Sequence, residues 1–210
     1  MIKANSALLV VDMQNDFLPG GALSVAEGDE IIPRVNEYVH LFEEHPHPIF
    51  FTRDWHPRET IHFKAQGGPW PPHCIQGTWG AAFHPDVHIP ATAIILSKGM
   101  DPHEDAYSAF HGRDEQGRYL EELLNEYSVE HVYIAGLALD YCVKWSSLDA
   151  QSKGFEMYPL IDATRAVNVH VHDAEKAIEE IVRVGGRLLT IEYLREPTEE
   201  ELPTAEELDH

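Results

Sequence analysis

The residues of this chain most able to do chemistry are two thiols, a lysine that closes an apolar run, and a set of aspartates and histidines at or beyond strand tips. Cys142 is the sharpest candidate. Gly136-Leu137-Ala138-Leu139-Asp140-Tyr141 closes an apolar run before it, and Val143-Lys144-Trp145-Ser146-Ser147-Leu148-Asp149-Ala150 can open a helix after it. A thiol at a helix N-terminus feels the positive end of the dipole, which favours the nucleophilic thiolate. The same position also suits a small buried hydrophobe, the commonest fate of a free cysteine. Cys74, the other thiol, follows Pro71-Pro72-His73 and shows no strand-to-helix turn.

Asp12 stands at the tip of Ala7-Leu8-Leu9-Val10-Val11 and Lys98 at the tip of Ala93-Ile94-Ile95-Leu96-Ser97. A partly desolvated carboxylate has a raised pKa and suits proton transfer. An Asx turn or a helix cap is the plainer role for such an aspartate, and a lysine in this setting is usually solvated. The turn Gly99-Met100-Asp101-Pro102 could fold Lys98 inward.

Asp54 and His56 are separated by one residue, so on extended chain they point the same way. His62 follows six residues later, and a proline-rich loop could return His73 to them. One carboxylate and two or three imidazoles suit a first-row divalent ion with a position left for water. The chain has 14 histidines, so near-coincidences are expected; His45, His47, His84, His88 and His111 read as surface or loop residues, and His210 as part of the tail.

These residues need elements to hold them. The runs already quoted, with Ile49-Phe50-Phe51-Thr52, His131 to Gly136, Phe155 to Leu160 and Arg187 to Ile191, are apolar without strict alternation, the pattern of strands buried on both faces. Pro159 moves the fifth of these six runs toward a sheet edge. Helical spacing links Ile31, Ile32, Val35, Tyr38, Val39 and Phe42, then Leu120, Leu123, Leu124 and Tyr127, then Ala174, Ala177, Ile178, Ile181 and Val182. Asp173 is placed to cap the last helix. The expected fold is a three-layer α/β sandwich with a mostly parallel central sheet, Rossmann- or flavodoxin-like. Ligands bind beyond the carboxyl ends of strands in such sheets, the rim where Asp12, Asp54, Lys98 and Cys142 fall. The irregular stretch from Trp55 to Pro90 has a length usually reserved for functional loops.

With 210 residues, 43% hydrophobic, one core domain over 1–195 is expected, followed by an acidic tail over 196–210. The tail reads as mobile, or as an arm packing on a neighbouring subunit through Leu202 and Leu208. Lys+Arg 15 against Asp+Glu 36 gives a net charge of −21, which argues against nucleic acid and anionic membranes as partners. No apolar run is long enough to span a bilayer. Met1 to Asn5 leaves no room for a signal peptide before the first strand, so the cytoplasm is the expected compartment, and its reducing conditions favour free thiols.

The chain resembles the nicotinamidases among the isochorismatase-like cysteine hydrolases. Five segments carry the likeness: Val10 to Phe17, Thr52-Arg53-Asp54-Trp55-His56-Pro57, Trp70 to Thr78, Lys98 to Phe110, and Gly136 to Val143. The resemblance implies an Asp12–Lys98–Cys142 triad and a single divalent ion, zinc with iron or manganese as alternatives, held by Asp54, His56 and His73, with His62 as a further ligand in some members. It implies a cis peptide between Leu137 and Ala138, which aims the amides of Ala138 and Cys142 at a shared oxyanion hole. The implied reaction is hydrolysis of nicotinamide to nicotinate and ammonia through a cysteine thioester, with the hydrolytic water activated at the metal, in a homo-oligomer. Phe17, Trp70, Tyr107 and Leu137 would wall a planar aromatic amide. Leu139 departs from the threonine the family often carries before its Asp-Tyr-Cys or similar triplet. A sister activity on an N-carbamoyl compound, another aromatic amide or isochorismate is the alternative. A flavodoxin-like phosphate-binding module would need a glycine-rich loop after the first strand, and Met13-Gln14-Asn15-Asp16 is not one.

Overall fold

The computed structural model describes residues 1–195; the acidic tail and the subunit arm expected of it lie outside the described residues. Five strands form one sheet: β1 (Ser6–Val11), β2 (Ile49–Asp54), β3 (Ile94–Lys98), β4 (His131–Leu137) and β5 (Glu156–Arg165). Their order is β3-β2-β1-β4-β5 and every pairing is parallel. The chain winds outward from β1 to β3 and then returns to place β4 on the other side of β1. That reversal opens a crevice between β1 and β4 at their carboxyl ends, where open α/β sheets bind ligands.

Helices cover both faces. α1 (Ile32–Glu43) and α5 (Ile191–Arg195) pack on one side; α2 (Leu120–Glu126), α3 (Lys144–Ser152) and α4 (Asp173–Arg183) pack on the other. The strand pleat divides the apolar runs between the two cores. Leu8, Val10, Tyr133 and Ala135 join Val35, Val39 and Phe42 of α1. Ala7, Leu9, Val11, Val132 and Ile134 join Leu123, Ala150 and Ile181. Burial on both faces is why β1 and β4 carry no alternating polar residues.

Pro159 lies on β5, one of the two edge strands, as expected. The sixth expected strand is not one. Arg187 to Ile191 lies beside β5, where the Leu189 N–H donates to the Pro159 carbonyl and the Leu189 carbonyl accepts from the Ile161 N–H, both at 2.9 Å, but the contact amounts to one parallel bridge, Leu160 to Leu189. Asp173 also differs from expectation: it is the first residue of α4, not its cap, and its carboxylate accepts from the His170 N–H at 2.8 Å. No helix among the described residues is long and apolar enough to cross a membrane.

Between β2 and β3 the chain folds over the carboxyl rim. Isolated bridges hold this excursion, His56 with Ile75 and Phe63 with Trp70, and Phe83 pairs with Gln14 beyond β1. The proline- and glycine-rich composition thus builds a wall over the site.

Candidate active site

Asp12, Asp54 and Lys98 end three neighbouring strands. Asp54 and Lys98 are direct register partners on β2 and β3, and Asp12 follows β1 with φ 49°, a backbone conformation uncommon for a residue with a Cβ. The side chains of Asp12 and Lys98 are buried completely. Lys98 Nζ lies 2.8 Å from Asp12 Oδ2 as an ion pair, hydrogen-bonds Asp54 Oδ1, and donates to Cys142 Sγ at 3.5 Å. Thr52 donates its hydroxyl to Asp12 Oδ1 at 2.7 Å.

Cys142 arrives from the other side of the crevice. Gly136, near the end of β4, has φ 108°, and a Cβ there would come within 2.0 Å of the Val11 carbonyl oxygen. Only glycine allows β4 to approach β1 so closely before the chain turns. The Leu137–Ala138 peptide is cis, and a single π-turn, Leu139–Val143, carries Cys142 into α3. Its sulfur and carboxylate oxygens of Asp12 and Asp54 lie within 4.8 Å of one another. Burial pushes the thiol well above its usual pKa; Lys98 opposes this and Asp12 and Asp54 add to it. Desolvation among carboxylates thus acts against the helix dipole, which favours the thiolate. Burial likewise raises Asp12, with Lys98 pulling it back, which leaves a carboxylate basic enough to receive a proton.

Cys74 is fully buried among core residues, and burial raises its thiol as well. Its N–H donates to Asp16 Oδ2 at 2.7 Å, so the residue anchors the loop carrying His73. Leu139 packs in the core beside α2–α4.

Next to the triad, ring nitrogens of His56, His62 and His73 lie within 4.8 Å of one another. Asp54 Oδ2 lies 3.5 Å from His56 Nε2 and 3.9 Å from His73 Nε2. Each imidazole has its Nδ1 engaged: His56 with the Gly99 carbonyl at 3.0 Å, His62 with Asp105 at 2.5 Å, His73 with the Pro71 carbonyl at 2.8 Å. Those bonds place the proton on Nδ1 and leave Nε2 with its lone pair, the arrangement of metal-ligating histidines. His56 Nε2 is buried with no hydrogen-bond partner, and burial lowers His73 to about 4, so the His73 ring is neutral near pH 7. The donor set fits a first-row divalent ion. His62 stands with the other two.

A pocket of about 380 Å³, mouth included, opens over Cys142, Asp54, His62 and His73. Phe17, Trp70, Tyr107 and Leu137 all line it, as does Ala138. Trp70 Nε1 donates to the Tyr107 hydroxyl at 2.8 Å, and burial raises that phenol to about 12. Tyr141 completes the aromatic wall, edge-on to Trp70 with centroids 5.0 Å apart; Leu23, Val25 and Val167 close the apolar side.

Sequence reasoning missed Tyr141 and the residues that hold the ligands in place. Gln14 donates to the Asp54 carbonyl at 2.8 Å and accepts from the Asp54 N–H at 2.7 Å. Asp140 accepts from the N–H groups of Val167 and Asn168 at 2.9 and 2.8 Å, fixing the chain that carries Val167. Gln14, Tyr141 and Asp140 were visible inside the quoted motifs, but nothing local indicated their partners.

Comparison with known proteins accords with this geometry. Residues 6–193 match the Isochorismatase domain family. A nicotinamidase of Acinetobacter baylyi is 39% identical over 183 residues, 79% of this chain and 84% of that protein. The crystal structure of a Pyrococcus horikoshii pyrazinamidase in complex with zinc is 47% identical, covers 89% of this chain and 99% of its own, and has a TM-score of 0.82. PnC1 from L. infantum, solved in complex with nicotinate, is 34% identical with a TM-score of 0.79, over 89% of this chain and 92% of that one.

Proposed function

The chain belongs to the isochorismatase domain family, and from that footing we propose that it is a nicotinamidase, a metal-dependent cysteine amidohydrolase that converts nicotinamide to nicotinate and ammonia. One observation carries the reading: the Cys142 sulfur opens into an aromatic pocket, with the Lys98 ammonium and the Asp12 carboxylate meeting just beneath it, beside a histidine–aspartate ligand set. Its relatives include nicotinamidases and a structure holding nicotinate.

In the proposed reaction the pyridine ring lies between Phe17, Trp70 and Leu137, with its carboxamide over Cys142. Asp12 takes the thiol proton as sulfur attacks the carboxamide carbon, because a thiol held neutral by burial needs a base at the moment of attack. The oxyanion that forms is held by the Ala138 and Cys142 amides. Both residues line the pocket, and such donors are worth about 2.7–4 kcal/mol of barrier each. Asp12 returns its proton to the amide nitrogen as the C–N bond breaks, releasing ammonia and leaving a thioester. Water then adds to the thioester with Asp12 as base, the C–S bond breaks, and nicotinate leaves with the thiol restored. Desolvation lowers the Lys98 ammonium, but the charges of Asp12 and Asp54 outweigh it and raise its pKa well above the usual value, so Lys98 stays protonated.

Asp54, His56 and His73, with His62 as the fourth ligand, would hold the cation, and zinc is the proposed ion. When bound, such an ion supplies Lewis acidity, which makes a neighbouring water more nucleophilic at neutral pH. The reading extends to a cytoplasmic homo-oligomer, supported by family likeness and checked by light scattering and cell fractionation. The decisive experiment is ammonia release from nicotinamide by the purified chain, with and without chelator. No release above background from the zinc-loaded chain would defeat the proposal.

A further inference from the structure

A second group of metal-ligating side chains converges at the opposite edge of the sheet. α1 ends at Glu43, shortly before β2 begins at Ile49, and residues 84–90 run toward the start of β3 at Ile94. The second segment leaves the rim at His84, whose N–H donates to the Met13 carbonyl at 3.0 Å, and runs down beside α1, so that His88 meets the C-terminal end of that helix toward the amino ends of the strands. His40 and Glu43 are one turn apart on α1, and His88 reaches them from the second segment. Glu43 Oε2 accepts from His40 Nδ1 at 3.2 Å and from His88 Nε2 at 2.8 Å. The two imidazoles stack with centroids 4.5 Å apart and planes 27° apart. One nitrogen of each ring and the carboxylate oxygen lie within 4.8 Å of one another.

The backbone under this trio is tied down. The His88 N–H donates to Asn36 Oδ1 at 2.8 Å, and Asn36 Nδ2 donates to the Asp86 carbonyl at 2.7 Å. Asn36 lies one turn before His40 on α1, so one amide fixes the second segment against the helix that supplies the other two side chains. His40 and His88 are 61% and 40% exposed at their side chains, leaving the trio open to ions from solution.

We propose that His40, Glu43 and His88 form a second divalent-cation site, distinct from the rim and selective for ions of the zinc class. Two imidazoles and one carboxylate are the donor set such ions take, with the fourth position left to water. Binding displaces the protons that now link the imidazoles to Glu43. The ion then cross-links the end of α1 to the segment leading into β3.

The test counts zinc. Chelator-stripped protein is dialysed against zinc chloride, and bound zinc per chain is measured by atomic absorption for the wild type, His40→Gln and His88→Gln. Each variant is expected to hold one zinc fewer than the wild type, with ammonia release unchanged because neither residue adjoins the pocket. Equal stoichiometry in all three would overturn the proposal. A parallel zinc titration of the wild type, followed by NMR of histidine ring nitrogens, guards against variants that lose structure. It should move the His40 and His88 signals together, and unmoved signals would count equally against the site.

Discussion

Lys98 and Asp12 rise from strands that β2 separates, yet 2.8 Å divides the ammonium from Asp12 Oδ2, and neither side chain reaches solvent. The lysine spans the tip of β2 and meets Asp54 on the way. One cation thus neutralises part of a buried pair of carboxylates and sets the field felt by the Cys142 thiol.

Lys98→Met removes that cation and leaves two carboxylates buried beside each other. Breaking a buried pair in this way typically costs about 3–5 kcal/mol. Urea unfolding of the chelator-treated protein should show a loss of that order, and a loss below about 1 kcal/mol would mean that the pair contributes little to the fold.

Cys142→Ala should leave zinc content and circular dichroism unchanged while nicotinamide turnover falls by at least about 10³-fold, as for other nucleophile deletions. Ammonia release near the wild-type rate would move the nucleophile elsewhere.

Gly99→Ala tests the scaffold of the metal ligands. Gly99 has φ 65°, and a Cβ there would lie 2.4 Å from His56 Cε1. The ring must shift off its bond to the Gly99 carbonyl, and disturbing such a partner typically costs about 10–100-fold in metal affinity. Competition against a zinc-binding dye measures the change.

His62→Ala asks whether the third histidine ligates. The expected result is weaker zinc binding, read in the same dye assay, with the pocket aromatics still able to bind nicotinate. Unchanged zinc affinity would restrict the ligand set to Asp54, His56 and His73.

Metal-free stability should depend on pH through His73. Burial lowers its folded pKa to about 4, against roughly 6.5 for an unperturbed histidine. Between these values the unfolded chain binds more protons than the folded one, so stability rises with pH through that window. The contribution is fully present above roughly 6.5 and lost as pH falls toward 4. Burial lowers His62 too, with the same sign. Unfolding of His73→Asn in chelator should show a shallower slope from pH 4 to 6.5 than the wild type.

The sequence by itself located the rim. A buried parallel strand is a continuous apolar run, so the polar residues that close it mark the strand tip, and Asp12, Asp54 and Lys98, at or within two residues of those ends, were legible for that reason. Helical spacing marked α1, α2 and α4 in the same way, and Pro159 marked one edge strand, β5. What depends on partners distant in the chain was not legible. Gln14 grips Asp54 across 40 positions and Asp16 holds Cys74 across 58; no local pattern encodes where those chains meet. The protonation of Cys142 belongs to the same class. The residues around it suggest a helix dipole that favours thiolate, but desolvation and two carboxylates from other strands push the thiol the opposite way. Arg187 to Ile191 reads as a strand by composition, yet its contact with β5 amounts to one bridge. Local composition sets which residues are extended, helical or polar at a tip; the packing of loops over the sheet decides charge states and which nitrogens face one point, because electrostatics and hydrogen bonding act through space and not along the chain.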